Sequence, residues 1–366
     1  MKKKNWLSLM LSVLLILSLL AGCGAPAANS DPAPEDPAPE TQTPDTPDAP
    51  DPADSTGEDA NGEEQAEPAQ LEQPWADEVP DGEVVTTKGG ESLTAYDAEM
   101  ALFDECTFTN SDSTIGDMTY FVYDPTAHGF SADSTYPVVL WLHGGGNASL
   151  GRLAIAAGGA AGMASEKHQA ELGGMYIICP LANEDTAGSW PTDDNGKYNA
   201  SLKGIVDEVK VSHPAANDIL LLAGTSAGGL GLNYFAEAYH DIVSGIFWMS
   251  TTIPSPETVK QYSDEGIKMW FEVSLHDETG AFTNSFPNGD TTPYDGIENF
   301  EYTAFEWVRW GDKSIASLDV GFEQGQHCSC AQVNRNLIFD DGTPDDPNHP
   351  NGVTGWFRSV IDGASA

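Results

Sequence analysis

The chain is poor in basic side chains. Its 366 residues include 15 Lys and Arg against 57 Asp and Glu, a formal net charge of −42. That imbalance argues against nucleic acid, a polyanion, as a partner. A strongly anionic substrate would be repelled as well, unless local charge compensates. Cysteine is scarce, with five in all. Four of them, Cys106, Cys179, Cys328 and Cys330, could pair outside the cytosol in connectivities that spacing leaves open. Cys328-Ser329-Cys330 lacks the spacing of a zinc ligand pair, and no second cluster completes one. No metal and no cofactor is expected. Long apolar runs are also missing. The run from Trp6 to Leu20 falls short of the roughly 20 residues of a membrane-spanning helix. No segment repeats.

What that first run does have is the form of a secretory leader: Lys2, Lys3 and Lys4, a short apolar core, then small residues. Leu20-Ala21-Gly22-Cys23 resembles the lipobox of bacterial lipoproteins. The resemblance implies a signal peptide over 1–22, cleavage before Cys23 and lipidation of its thiol. Acyl chains would then anchor the protein to the extracellular face of the cell membrane. Residues 24–80 hold 16 acidic side chains, no Lys or Arg, and no large aliphatic residue before Leu71. Such a segment cannot offset its ordering entropy. With its prolines and like charges it reads, from 23 to 80, as an extended tether.

The remainder, 81–366, carries 41 acidic and 12 basic residues and is long enough for one large domain. Apolar runs at 105–111 and 118–125 predict an antiparallel strand pair. Near-continuous runs at 136–146, 174–180, 218–226, 244–250 and 267–274 predict strands buried on both faces, as in a parallel sheet. Helical patterns lie between them, at 153–172 with a break at Gly158-Gly159, at 200–213 and at 229–240. Alternating strands and helices give an α/β fold with a mostly parallel sheet and helices on both faces. A last strand is expected near 316–322. The aromatic, irregular stretch 281–313 reads as an insertion, partly helical near Phe300–Trp310, that could line a site for an aromatic or sugar ester.

Two glycine-rich turns carry the chemistry. Gly224-Thr225-Ser226-Ala227-Gly228 matches G-x-S-x-G between a predicted strand and a predicted helix. Small residues two before and two after the serine allow a turn tight enough to raise its hydroxyl above the sheet. Independently, His143-Gly144-Gly145-Gly146-Asn147 ends an earlier strand. Such a glycine run lets backbone N–H groups point at a developing oxyanion. The expected donors are the amides of Ala227 and of Gly145 or Gly146, with His143 orienting the loop and Asn147 a candidate substrate contact. A serine nucleophile needs a histidine base oriented by a carboxylate, in the chain order serine, acid, histidine. Asp277 follows a predicted strand about 50 residues on, with Glu278 as its competitor. His327, in a Gly-Gln-His loop a further 50 residues on, is the expected base, with His349 and His276 as alternatives. His128, His168, His213 and His240 read as surface residues. The acids Asp340, Asp341, Asp345 and Asp346 do not match an EF-hand loop and read as solvated.

The runs YPVVLWLHGGGN, CPLANEDTAGSWP, ILLLAGTSAGGLGLNYFAEAYHDIVSGIFWMS and KMWFEVSLHDETG, with a late GQHCS, together resemble the secreted α/β-hydrolases, in particular the predicted-peptidase, polyhydroxybutyrate-depolymerase-like and feruloyl-esterase-like group. The resemblance covers about 118–330. It implies an α/β-hydrolase sheet of eight strands, a triad of Ser226, Asp277 and His327, and ester hydrolysis more often than peptide cleavage. It also places Trp190 near the active site, either against the acyl or alcohol pocket or as an ordinary packed aromatic. The acid loop, Leu-His-Asp-Glu, departs from the Gly-x-x-Asp-Pro turn more usual in the family. The leading expectation is a membrane-anchored serine esterase with a polymer- or diet-derived ester as substrate. A serine peptidase of the prolyl-oligopeptidase type and a non-catalytic binding lipoprotein on the same fold are the alternatives.

Overall fold

Eight strands form one sheet in the computed structural model, which describes residues 93–365 except 112–113, 183–189, 191–195, 307, 311–312, 315–325, 328–329 and 340. The expected leader, Cys23, the tether, the strand near 316–322 and Cys328 lie outside the described residues. Among those described, no helix is long and apolar enough to cross a membrane.

The strands are β1 (Asp104–Phe108), β2 (Met118–Tyr123), β3 (Tyr136–Leu142), β4 (Tyr176–Pro180), β5 (Ala216–Thr225), β6 (Val243–Met249), β7 (Lys268–Ser274) and β8 (Phe300–Phe305). Their order is β1-β2-β4-β3-β5-β6-β7-β8. The β1–β2 and β2–β4 pairs are antiparallel, and all others are parallel. The expected antiparallel pair near the start is therefore β1–β2. Every residue of β3 is buried, and its side chains alternate between two cores. Val138, Leu140 and Leu142 face one, and Val139 and Trp141 face the other. Period-two alternation with apolar residues on both faces is what a strand covered on both sides requires.

Helices supply both covers. We label those of seven or more residues α1 (Glu166–Leu172), α2 (Asn199–Ser212), α3 (Ala227–Tyr239), α4 (Pro256–Asp264) and α5 (Gly352–Ala364). Leu202, Ile205, Val206 and Val209 recur on one stripe of α2 and join the first core with Leu232 and Phe235 of α3. Val353, Trp356, Phe357, Val360 and Ile361 of α5 fill the second core from the opposite face. The helical pattern at 153–172 is broken at Gly158–Ala160, as the glycines suggested, into short turns and α1.

One expectation about 281–313 is corrected. Phe300–Phe305 is a strand and not a helix. It pairs in parallel with β7 from Met269↔Phe300 to Ser274↔Phe305 and is the last strand of the sheet among the described residues. Its aromatic and β-branched content favours a pleated surface over a helix, although Phe300 and Ala304 also fit helical spacing. Aromatics of this stretch pack on one another: Phe286 is fully buried, with Phe282, Tyr294 and the β8 residue Tyr302 within 5.3 Å of it, centroid to centroid.

Cys106 and Cys179 do not pair. β2 separates their strands, and their side chains belong to opposite cores. Two strand spacings put the Cα atoms roughly 9–10 Å apart, beyond disulfide reach. Asp345 and Asp346, expected to be solvated, are instead engaged by protein groups; Asp341 is exposed, and Asp340 lies outside the described residues. Asp345 pairs with Arg335 at 2.7 Å, and Asp346 accepts from Thr303 at 2.6 Å and meets His349 Nδ1 at 2.8 Å. His349 also reaches Glu301 of β8 at 3.2 Å and stacks on Trp270 at 4.0 Å, so it ties the C-terminal loop to the sheet edge.

Candidate active site

In a parallel sheet all C-terminal strand ends open on one side, and the loops leaving them converge there. β3 leads into the glycine turn at 144–146, β5 into Ser226 and β7 into Asp277.

Ser226 has φ 52° and ψ −121°, between the last residue of β5 and the first of α3. A non-glycine residue held there costs on the order of 1–3 kcal/mol. The neighbours hold it in place. Its N–H donates to Met249 O at 2.9 Å, and its carbonyl accepts from Thr251 Oγ1 at 2.8 Å. The surrounding glycines are a steric necessity. A Cβ on Gly224 would lie 2.9 Å from the Gly228 carbonyl, and one on Gly228 would lie 2.2 Å from Leu142 O. The start of α3 thus rests directly on the end of β3. Ala227, the first residue of α3, sits where backbone N–H groups have no intrahelical acceptor. The 144–146 turn lies alongside: a Cβ on Gly144 would come 3.6 Å from the Ser226 Cβ. Gly145 and Gly146 are exposed, and Gly146 takes φ 76°.

His327 completes a relay. Its Nε2 lies 2.7 Å from Ser226 Oγ, and its Nδ1 lies 2.9 and 3.1 Å from the two Asp277 oxygens. The carboxylate accepts from Nδ1–H, which leaves Nε2 free to accept the serine proton. The Asp277 side chain is wholly buried. Burial alone pushes its carboxyl up, but the hydrogen bond and charge of His327, with the hydroxyl and amide of Thr279, outweigh that and hold it below the usual carboxylate range.

Glu278, the competitor for the acid role, instead accepts from the backbone N–H of His327 at 2.8 Å. The residue is exposed, yet partial desolvation of its carboxyl, with the charge of Asp277, raises its pKa. His349 lies in its own cluster at the sheet edge, away from Ser226, and it is His327, not His276, that meets the acid through its ring. Thr279 was not foreseen. Its hydroxyl donates to Asp277 Oδ1 at 2.7 Å and lies 3.0 Å from His327 Nδ1. A threonine two residues after an aspartate is an Asx-turn signature, which could have marked it.

His143 anchors the glycine turn from below. Nδ1 donates to Gly144 O at 2.7 Å, and Nε2 accepts from the Ala182 N–H at 3.0 Å. Only the neutral ring satisfies both partners. Burial pushes its pKa down to about 4. Of the two readings of Trp190, the structure fits the packed aromatic. It is 2% exposed, its Nε1 donates to His143 O at 2.9 Å, and its ring packs on His143 and Tyr198. It is a strut under the turn. Asn147 is half-buried beside Gly144, and its N–H donates to Gly144 O at 3.3 Å. His168, expected at the surface, is buried, its Nδ1 2.7 Å from Gly162 O. Among the described residues no group of His, Cys, Asp and Glu is arranged to hold a metal ion.

No protein-family model matches the sequence. No curated protein sequence matches it either. Solved structures do. The chain is similar to a thermostable esterase at 18% identity and a TM-score of 0.52, over 66% of this chain and 62% of that one. It spans less than two thirds of that esterase's length. It is also similar to the feruloyl esterase module from Clostridium thermocellum complexed with sinapinate, at 15% identity, a TM-score of 0.41, and 55% and 79% coverage. Ferric enterobactin esterase from Salmonella typhimurium overlays at 13% identity and a TM-score of 0.41, over 63% and 58% of the two chains. At 18% identity the likeness to the thermostable esterase is one of architecture: the chain has the α/β-hydrolase fold.

Proposed function

We propose that the protein is a serine hydrolase of carboxylic esters, working through an acyl-enzyme. One observation carries this reading: Ser226 Oγ, His327 and Asp277 form an unbroken hydrogen-bond chain of 2.7 and 2.9 Å on a strained strand-to-helix turn. Ser226 Oγ bonds to the ester carbonyl carbon while its proton passes to His327 Nε2, and the carbonyl π electrons move onto oxygen. The amides of Ala227 and of Gly145 or Gly146 stabilise that oxyanion, and Asp277 stabilises the imidazolium. Collapse expels the alcohol, which takes the proton from His327. Water then repeats the sequence and releases the acid and the free serine. Asn147 borders the glycine turn and is the candidate contact to substrate.

The leader and lipobox-like tetrad support a lipid anchor at Cys23, a signal peptide over 1–22, a tether over 23–80 and a catalytic domain over 81–366 on the extracellular face of a bacterial membrane. In the full chain, Cys23→Ser is expected to move the protein from the membrane to the soluble fraction; retention in the membrane would refute the anchor. For the chemistry, a fluorophosphonate probe is expected to label the wild type and not Ser226→Ala. Folded wild type that takes no label overturns the hydrolase reading. On a panel of esters and peptides, ester cleavage is expected. Cleavage of peptides with esters untouched would make the enzyme a peptidase.

A further inference from the structure

Three consecutive side chains, Asp277, Glu278 and Thr279, all turn onto one residue, His327. Asp277 takes the ring N–H, Thr279 braces both that nitrogen and the carboxylate, and Glu278 takes the backbone N–H. The residue before the histidine is also held. Gln326 is fully buried, and its side-chain oxygen accepts from Ser274 Oγ at 3.2 Å and from Val308 N–H at 2.7 Å. The end of β7 and the loop after it therefore form a mould for the histidine. The relay alone does not use Glu278. A carboxylate beside a second carboxylate is unfavourable unless it gains something, and here it gains a charge-assisted hydrogen bond to the histidine's main chain.

Resting on the hydrolase reading above, we propose that Glu278 is a positioning residue. It clamps the His327 main chain so that Nε2 meets Ser226 Oγ, and it adds a second negative charge near the imidazolium. Among the described residues, the charged groups that face it are Asp277 and His327. Two different effects follow. The clamp needs only an acceptor oxygen, which glutamine supplies. The charge needs a carboxylate, and glutamine removes it.

The test uses p-nitrophenyl acetate hydrolysis and the fluorophosphonate labelling rate, with wild type, Glu278→Ala and Glu278→Gln. Loss of a charge-assisted hydrogen bond predicts roughly a tenfold fall in kcat for Glu278→Ala, with KM little changed. Glu278→Gln is expected to recover most of that loss. Its acid limb of kcat/KM is expected to move to lower pH, which a merely structural role would not produce. Wild-type kcat in Glu278→Ala, or a Glu278→Gln variant as slow as the alanine variant, overturns the clamp. An unmoved acid limb in Glu278→Gln overturns the charge, and that variant can be read even if the alanine variant does not fold. Failure of the hydrolase reading looks different: wild type itself would take no label.

Discussion

His143 illustrates how a single side chain can set the working range of a site it never enters. Its two nitrogens meet one acceptor and one donor, so a second ring proton would face the Ala182 N–H. The folded pKa is lowered to about 4 from 6.5. The unfolded chain therefore binds the extra proton first as pH falls. The folded state loses stability from pH 6.5 downward, and the loss is complete near pH 4. By linkage the total is about 3 kcal/mol. Denaturant unfolding across this window is expected to show a slope approaching one proton. His143→Gln, which keeps an acceptor toward Ala182 and does not titrate, is expected to flatten that component. An unchanged slope in the variant would refute the assignment. Asp277 has the opposite sense. Its lowered pKa contributes stability above the unfolded carboxylate pKa, and that contribution disappears as pH falls through the folded one.

At the scale of elements, the turn from β5 into α3 is the most demanding contact in the site. A methyl group on Gly228 would sit 2.2 Å from a backbone oxygen of β3, and neither strand nor helix can yield cheaply. Gly228→Ala is expected to destabilise the fold by about 3 kcal/mol, the upper end for overpacking. It should also cut fluorophosphonate labelling, because α3 carries both the elbow and the Ala227 amide. A melting temperature within a degree of wild type would contradict the packing. This turn was legible in the residues because its sterics are local: small residues at fixed offsets, a strand before, a helix after. The relay partners were legible for a similar reason, since Asp277 and His327 fall in the order the fold demands. Other features depend on neighbours distant in the chain and could not be read. The strand at Phe300–Phe305 exists because β7 offers it an edge. Trp190 is a strut because His143 lies above it. The bond from Glu278 to the His327 main chain joins residues 49 apart and leaves no trace in local pattern.

For the whole molecule, the net charge of −42 bears on encounter with substrate. An anionic ester approaches against the field, and a neutral one does not. Raising ionic strength from about 0.01 to 0.15 M shortens the screening length from roughly 30 to 8 Å. The prediction is that kcat/KM for an ester with a carboxylate on its alcohol side rises severalfold over that range. The value for a neutral ester of similar size should stay nearly constant. Equal salt responses would mean that the site is locally neutralised.

The mould around His327 has one more consequence. Its acid, its clamp and its brace are consecutive residues on a single loop, and Ser226 belongs to another. The hydrogen bonds predict that small displacements of that loop carry the histidine and its three partners together, so that their mutual distances change little. The soft coordinate of the site is then the 2.7 Å gap between Nε2 and Oγ. Thermal motion should appear there as the making and breaking of one hydrogen bond, while the imidazole stays in register with its carboxylate throughout.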